Sequence, residues 1–399
     1  MKRWIGAVSL AVLLAGCQQT SIKQVKADAQ VHWQQTRARV TYGVALEQFK
    51  AGQLDRATEK VREALALAPN DAESLLLLGR IHIEQGRYLQ AAVELKSASD
   101  RLPRSFEAAF MLGVAQEKAG RLDEALASYQ RAMELDTTSA GAVLAAAEVM
   151  VAVGRVADAQ AFVDVHIGLA GDDAGMYELS GRLAMMLEDY ALAARDYAQA
   201  ADLSPLNVRY REALAHALFL SRQYAEAVEA VRALVRMPKY APPSWVMTLL
   251  GDCHMALGQS SDARQAYQSV RNLAPEDPRG WINVAKASLE LGDSHGAVQA
   301  AQEALQRDPR ASDAYCLLGY ALLKEGQAGK AVKVLAGAVE QFPQHIVLQC
   351  LLGRSYSAAG DAPGAARCYA AALKIEPDNP LAKELLAASV ATKAQPPQE

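Results

Sequence analysis

Residue types that commonly carry catalysis are present in this chain, but their spacing matches none of the common catalytic motifs. None of the seven histidines belongs to a His-Glu-x-x-His pair, the helical spacing that binds zinc. The segment Gly326-Gln327-Ala328-Gly329-Lys330 has the wrong glycine spacing for a phosphate-binding loop. A Gly-x-Ser-x-Gly nucleophile elbow is also missing from the sequence. We therefore predict no enzyme, and no catalytic residue, metal site, cofactor or small-molecule substrate.

One cysteine lies in a processing context near the start of the chain. Lys2-Arg3 precede the apolar segment 4–14, which is too short to span a bilayer. The following Leu14-Ala15-Gly16-Cys17 resembles the bacterial lipobox, which implies cleavage before Cys17 and a diacylglycerol on its sulfur. Because Gln18 is not aspartate, the resemblance implies the outer membrane as destination. An ordinary signal peptide before a chance cysteine is the alternative to a lipoprotein signal peptide over residues 1–16.

The composition is that of an ordinary globular chain with closely packed helices. Hydrophobic residues make up 51% of the sequence, while aromatic residues make up only 6%. The 41 basic and 45 acidic side chains nearly balance, whereas a nucleic-acid-binding protein usually has a basic excess. The five cysteines are too few, over 399 residues, for a disulfide-rich scaffold. The balance argues against nucleic acid as a partner.

Glycine recurs along the chain with a fixed period. Gly79 and Gly113 are 34 residues apart, and so are Gly319 and Gly353. A period of about 34 residues is typical of a helix–turn–helix repeat, and the chain resembles the tetratricopeptide repeat family. With this glycine numbered as position 8, the repeats begin at Ala38, Ala72, Phe106, Ala140, Ala174, Val208, Ser244, Pro278, Ser312 and Ile346.

Three further positions support this register. Position 8 is always glycine or alanine, position 20 is alanine in every repeat, and position 32 is proline in seven repeats. Proline at position 32 would end the second helix of the repeat. We expect positions 8 and 20 to face each other where the two helices of a repeat approach most closely. The alanines at position 20 are Ala57, Ala91, Ala125, Ala159, Ala193, Ala227, Ala263, Ala297, Ala331 and Ala365.

The resemblance implies an all-α fold, a right-handed α-solenoid of about ten tetratricopeptide repeats with a C-terminal capping helix. An end cap is expected because a repeat array needs a polar outer surface at its ends. The predicted segments after the signal peptide are the lipidated cysteine and tether (17–37), repeats 1–6 (38–241), repeats 7–10 (244–379), the capping helix (380–393) and a disordered tail (394–399).

Several local departures from the repeat pattern leave alternatives open. Pro242-Pro243 is an insertion that either changes the path of the array or is a simple loop. His166 stands where a small residue is usual, which predicts a short or loosely packed second helix in repeat 4. Cys350 and Cys368 could form a disulfide across one helical hairpin, but buried or free thiols are the favoured interpretation.

The expected functional surface is a groove lined by the first helices. In this family, positions 2, 5, 9 and 12 of those helices line the groove. Position 12 is apolar in eight repeats, and charged residues at position 9 flank it. Such a stripe suits an amphipathic helix or an extended partner segment, although position 12 could instead pack against the neighbouring repeat. The candidate residues are Tyr42, Phe49, Leu76, Ile83, Phe110, Met185, Phe219, Met255, Arg80 and Arg182.

Lipobox and repeats together predict a non-enzymatic protein-binding scaffold anchored in the outer membrane and facing the periplasm. The combination resembles the repeat lipoproteins that assist type IV and Tad (Flp) pili and secretion systems. The partner would then be a secretin, a pilus protein or an export component of the envelope. A scaffold of an exopolysaccharide export complex and an adaptor for peptidoglycan enzymes are the alternatives.

Overall fold

The structure, a computed structural model, describes residues 22–169 and 173–391. These residues form α-helices joined by short turns, and no strand occurs among them. The predicted signal peptide, Cys17 and the predicted tail lie outside the described residues. The chain divides into an N-terminal unit that ends at Leu183 and a C-terminal unit that begins at Ala184. The all-α repeat fold predicted from the sequence is confirmed.

The helices alternate between the first and the second helix of each repeat. The first helices are α1 (Ile22–Lys50), α3 (Ala72–Glu84), α5 (Phe106–Lys118), α7 (Ala140–Ala152), α9 (Ala174–Met186), α11 (Val208–Leu220), α13 (Ser244–Ala256), α15 (Pro278–Glu290), α17 (Ser312–Lys324) and α19 (Ile346–Ala358). The second helices are α2 (Leu54–Leu67), α4 (Tyr88–Arg101), α6 (Leu122–Leu135), α8 (Val156–His166), α10 (Tyr190–Leu203), α12 (Tyr224–Val235), α14 (Ser260–Leu273), α16 (Ser294–Arg307), α18 (Ala328–Gln341) and α20 (Ala362–Ile375). A last helix, α21 (Pro380–Ala391), follows the tenth repeat.

Capping residues and glycines explain where the helices begin and end. The side chains of Asp71 and Ser105 accept hydrogen bonds from the backbone N–H groups at the starts of α3 and α5. Between the two helices of a repeat, glycine stands at position 15 with a positive φ in eight repeats, for example 72° at Gly86. Glycine adopts this conformation without the steric cost of a side chain. Each of these signals recurs with the period of the repeat.

The closest approach within a repeat joins positions 8 and 24, which corrects the predicted contact between positions 8 and 20. A Cβ atom placed on Gly113 would lie 2.6 Å from the ring of Tyr129. The same clash with the position-24 side chain occurs at Gly79, Gly251, Gly319 and Gly353, which face Leu95, Tyr267, Leu335 and Tyr369. Glycine at position 8 is therefore required by a large partner at position 24.

Repeats with alanine at position 8 have a smaller residue at position 24. In repeat 4, Ala147 stands at position 8 and Val163 at position 24, and both side chains are buried. The same holds for Ala45 with Val61, Ala215 with Val231, and Ala285 with Ala301. The alanines at position 20 are all fully buried, at 0% exposure. They belong to the core but are not the contact that excludes a side chain from position 8.

The first helix extends into the predicted tether. Residues 17–37 are the predicted lipidated cysteine and tether, and α1 begins at Ile22 and continues through Ala38 without a break. The described part of the tether is therefore helical, at about 1.5 Å per residue rather than the 3.3 Å of an extended chain. No helix in the described ranges is long and apolar enough to cross a membrane.

The two departures from the repeat pattern have defined local structures. Helix α8 has 11 residues, against 14 in α6, and the His166 ring packs at 4.5 Å from that of Phe162. In the segment before Pro243, the Tyr240 hydroxyl donates a hydrogen bond to Glu212 at 2.7 Å. Burial and this hydrogen bond raise the pKa of Tyr240. The residue two positions before the insertion is therefore held against α11.

Candidate binding face on the first helices

First helices of successive repeats lie side by side within each unit. Helix α3 contacts α1 and α5 in the N-terminal unit. In the C-terminal unit, α13 contacts α11, and α17 contacts α15 and α19. Side chains at positions 2, 5, 9 and 12 that are not buried therefore form a surface along α1, α3 and α5, along α11 and α13, and along α15, α17 and α19. We call this surface the first-helix face.

Most of the predicted apolar groove residues are half-buried, so only part of each side chain can contact a partner. The exception is Leu76, which is 5% exposed and lies in the core, so it cannot contact a partner on this face. The others are half-buried and pack against core clusters: Tyr42, Phe49, Ile83, Phe110, Met185, Phe219 and Met255. These apolar side chains therefore pack between helices on one side and remain exposed to solvent on the other.

Phe110 is more tightly packed than its position predicts. Its ring stacks on Phe106 with centroids 5.6 Å apart and contacts Tyr129 at 5.5 Å. Tyr129 is the ring that fills the space beside Gly113. Phe110 therefore packs directly against the side chain that forms the closest contact within repeat 3.

The two predicted groove arginines are paired with carboxylates of neighbouring first helices. The Arg80 guanidinium lies 2.8 Å from the Glu107 carboxylate and 5.1 Å from the centre of the Phe49 ring. Arg182 lies 3.2 Å from Glu148, which occupies the same position in the preceding repeat. Both arginines connect adjacent repeats, and their charges are compensated within the chain.

The first-helix face of the C-terminal unit contains an open cleft of about 520 Å³. It lies between α11, α13 and α15, and its walls combine apolar and charged side chains. The lining includes His216, Phe219, Trp245, Asp252, Ile282 and Lys286. All six stand at the predicted groove positions 2, 5, 9 or 12, but only Phe219 is among the candidate residues chosen from the sequence. Trp245 at position 2 was the signal in the sequence that could have identified the cleft.

Trp245 and Asp252 give the cleft its chemical character. Trp245 is 44% exposed, so much of its ring is available to a partner. The Asp252 carboxylate accepts a hydrogen bond from the Tyr267 hydroxyl at 2.6 Å. Burial raises the pKa of Asp252, while this hydrogen bond and the charge of Lys286 act in the opposite direction. The cleft therefore offers one aromatic surface and charges of both signs.

Two histidines and three of the four cysteines that the structure describes are packed in the interior. His82 and His254 are each 3% exposed, and the His254 ring lies 2.6 Å from Gln259 Oε1. The four cysteines of the described region are free thiols, and burial raises the pKa of each, to about 12 for Cys253. Within residues 22–169 and 173–391, no group of three His, Cys, Asp or Glu side chains could hold a metal ion.

Comparison with known proteins identifies the repeats. A family model described as tetratricopeptide repeat matches residues 48–115, 116–183 and 322–388. Two further models with the same description match residues 179–242 and 283–346, and residues 245–277.

Two individual proteins resemble parts of the chain. Superkiller complex protein 3 from Mus musculus is 30% identical over 112 residues, which are 28% of this chain and 7% of that protein. The crystal structure of the APC/C hetero-tetramer Cut9-Hcn1 aligns with 88% of this chain and 76% of that chain, at 17% identity and a TM-score of 0.41. The first family model alone matches just over half of the sequence. The chain belongs to the tetratricopeptide repeat family.

Proposed function

We propose that this protein is a non-enzymatic scaffold of the bacterial cell envelope, and that it binds partner proteins through the first-helix face. The observation that carries the proposal is the cleft between α11, α13 and α15. It exposes Trp245 beside the half-buried Phe219, on the same face as charged side chains. Exposed aromatic residues beside polar groups are common anchors in protein interfaces.

The proposed location is the periplasmic side of the outer membrane, with a lipid anchor at Cys17. The support is the apolar segment 4–14 followed by Leu14-Ala15-Gly16-Cys17. Two or more acyl chains attach a protein stably to a membrane, whereas one chain does not. Helix α1 begins at Ile22, four residues after Gln18. An anchored Cys17 would therefore hold the first repeat close to the membrane.

The proposed role is assistance in the assembly of an envelope machine, such as a type IV or Tad pilus or its secretin. The support is the combination of lipobox and repeats, which resembles the repeat lipoproteins of those systems. A scaffold without catalytic groups fits such a role, because it contributes binding surface and position rather than chemistry. Its partner would be an envelope protein with an apolar side chain that fits beside Trp245.

Site-specific photo-crosslinking in intact cells tests the binding face. A photoreactive residue replaces Trp245 on α13, and in a matched control it replaces Leu273 on α14 of the same repeat. These side chains are similarly exposed, at 44% and 52%, but they belong to the first and the second helix. We expect one specific envelope protein to be crosslinked from position 245. Crosslinking of that protein only from position 273 would place the binding surface on the second helices.

Metabolic labelling with a fatty-acid analogue tests the anchor separately. The wild-type chain should be labelled, and Cys17→Ser should not be. Equal labelling of the two chains would contradict a lipid at Cys17, whatever the outcome of the crosslinking.

A further inference from the structure

Three consecutive repeats of the C-terminal unit carry a row of cations on the first-helix face. Position 9 is Lys286 in repeat 8, Tyr320 in repeat 9 and Arg354 in repeat 10. Lys324 lies one turn after Tyr320 on α17, with its ammonium 5.4 Å from the centre of the tyrosine ring. The Arg354 guanidinium lies 5.9 Å from the same ring. We call these four residues the cationic row.

The cations of this row differ from those at the same position in the N-terminal unit. Arg80 and Arg182 each lie within 3.2 Å of a carboxylate from a neighbouring first helix. By contrast, Lys286, Lys324 and Arg354 form no salt bridge within 4.0 Å with any residue that the structure describes. All three are exposed. Two of them contact an aromatic ring instead of an acid, which leaves their positive charge uncompensated.

One acidic residue precedes the row, and a second lies within it. Asp252 on α13 of repeat 7 and Asp313 at the start of α17 in repeat 9 line the same cleft as Lys286. Asp252 already accepts a hydrogen bond from Tyr267, and its charge interacts with Lys286. An acidic ligand would therefore be repelled at the Asp252 end of the cleft and attracted along repeats 8 to 10. Phe219 and Trp245, which precede the row, form the apolar wall of the cleft together with Ile282 of repeat 8.

We propose that the first-helix face of repeats 8 to 10 binds an extended acidic segment of a partner protein, with an apolar side chain of that segment in the cleft beside Trp245. Adjacent packed helices lie about 8–10 Å apart, and an extended chain in the polyproline II conformation rises about 3.1 Å per residue with three residues per turn. Successive cations therefore match carboxylates about three residues apart, which lie on one face of such a chain. The segment thus carries an apolar residue followed by acidic residues at this spacing.

This inference rests on the proposed function and specifies its partner. The test is fluorescence anisotropy with labelled synthetic peptides and the purified full-length chain. The first peptide carries a tryptophan followed by glutamates about three residues apart. The second has the same composition with its glutamates adjacent, and in the third lysine replaces every glutamate. The protein variants are Lys286→Glu with Arg354→Glu, and a control on the second helix α18, Lys330→Glu with Lys333→Glu.

We expect the first peptide to bind the wild-type chain most tightly, and to bind more weakly in high salt. Charge reversal in the cationic row should raise its Kd by about tenfold or more. The control pair changes the net charge equally and involves exposed residues of repeat 9, so its Kd should stay within about twofold of wild type. Unchanged circular dichroism of both variants would show that the fold is retained, as expected for exposed positions.

Three results would overturn the proposal. Equal weakening by both variant pairs would indicate only a general charge effect, and equal binding of the lysine peptide would exclude recognition of acids. Failure of the first peptide to bind the wild-type chain would exclude this ligand class. The crosslinking from position 245 would still report on the first-helix face in each case, so failure of this inference is distinguishable from failure of the proposed function.

Discussion

Gly113 lacks a side chain at the point where the Tyr129 ring occupies the space that a side chain would need. A Cβ atom at Gly113 would lie 2.6 Å from two carbons of that ring. The Tyr129 hydroxyl then donates a hydrogen bond to Glu117 on α5 at 2.7 Å. Tyr129 therefore packs against Gly113 and hydrogen-bonds to Glu117, and both contacts join the two helices of repeat 3.

Replacement of Gly113 by alanine should destabilise repeat 3. The added methyl group collides with a fully buried ring, and such overpacking costs about 1–3 kcal/mol. The cost should be smaller in a Tyr129→Val background, because the next repeat pairs Ala147 with Val163 at the same positions. Urea unfolding of the two single variants and the double variant measures this coupling. If Gly113→Ala lowered the free energy of unfolding equally in both backgrounds, the size of the residue at position 24 would not determine the residue at position 8.

The sequence predicted the repeat but not this contact. Columns of glycine, alanine and proline predicted helix starts such as Ala72 and Ile346, because these residue types mark tight packing and helix ends. The partner of position 8 was misassigned to the alanines at position 20, since uniform alanine suggests close packing. Position 24 varies between Tyr, Leu, Val and Ala. Only its inverse relation in size to position 8 could have revealed the contact from sequence.

The candidate site was less accessible to sequence analysis. Register alone placed Leu76 and Phe110 on the groove, but it does not determine how deeply a neighbouring helix covers a position. Leu76 is buried by that packing, and Phe110 contacts two rings. The cleft beside Trp245 depends on side chains from three successive first helices. Such a combination follows from the packing of the repeats and is not visible in one column of residues.

Glycine should stabilise the chain at two of the turns between the helices of a repeat. Glu188 and Arg222 occupy position 15 with φ values of 61° and 62°, whereas the other eight repeats have glycine there. Arg222→Gly should stabilise the chain by about 0.5–1 kcal/mol, because the left-handed conformation is strained for a residue with a side chain. Chemical denaturation measures the change. The reverse substitution, Gly258→Ala at a φ of 71°, serves as control and should destabilise; destabilisation by Arg222→Gly would contradict the strain.

His82 should make the second repeat sensitive to acid. Both of its ring nitrogens are buried without a hydrogen-bond partner. Burial lowers the pKa of His82, and the charges of Arg62 and Arg87 lower it further. The unfolded chain therefore takes up a proton below about pH 6.5 that the native chain does not. This contribution to stability is present above that pH and is lost as the pH falls below it.

The measurement is hydrogen exchange of α3 and α4 amides at about pH 7 and about pH 5, corrected for intrinsic exchange rates. Protection in the wild-type chain should fall towards the lower pH. The variant His82→Leu should lose less protection, because leucine occupies this position at Leu218 and Leu322 and is buried there. The same loss in the variant and the wild-type chain would exclude His82 as the cause.

Phe110→Glu should unfold repeat 3, whereas Trp245→Glu should leave repeat 7 folded. The first change places a carboxylate against Phe106 and Tyr129, where an unpaired charge is costly. The second changes a side chain that is 44% exposed. Thermal unfolding followed by circular dichroism should therefore show a lower transition temperature for Phe110→Glu alone. A lowered transition for Trp245→Glu would mean that Trp245 is needed for packing rather than available for binding.

The most direct test of the binding face is hydrogen exchange of the full chain with and without the envelope protein captured by crosslinking. The partner should slow exchange in the first helices α11, α13 and α15, whose side chains form the cleft. It should leave the second helices α12 and α14 close to their free rates. Slowed exchange confined to α12 and α14 would contradict the account, because the partner would then lie on the second helices.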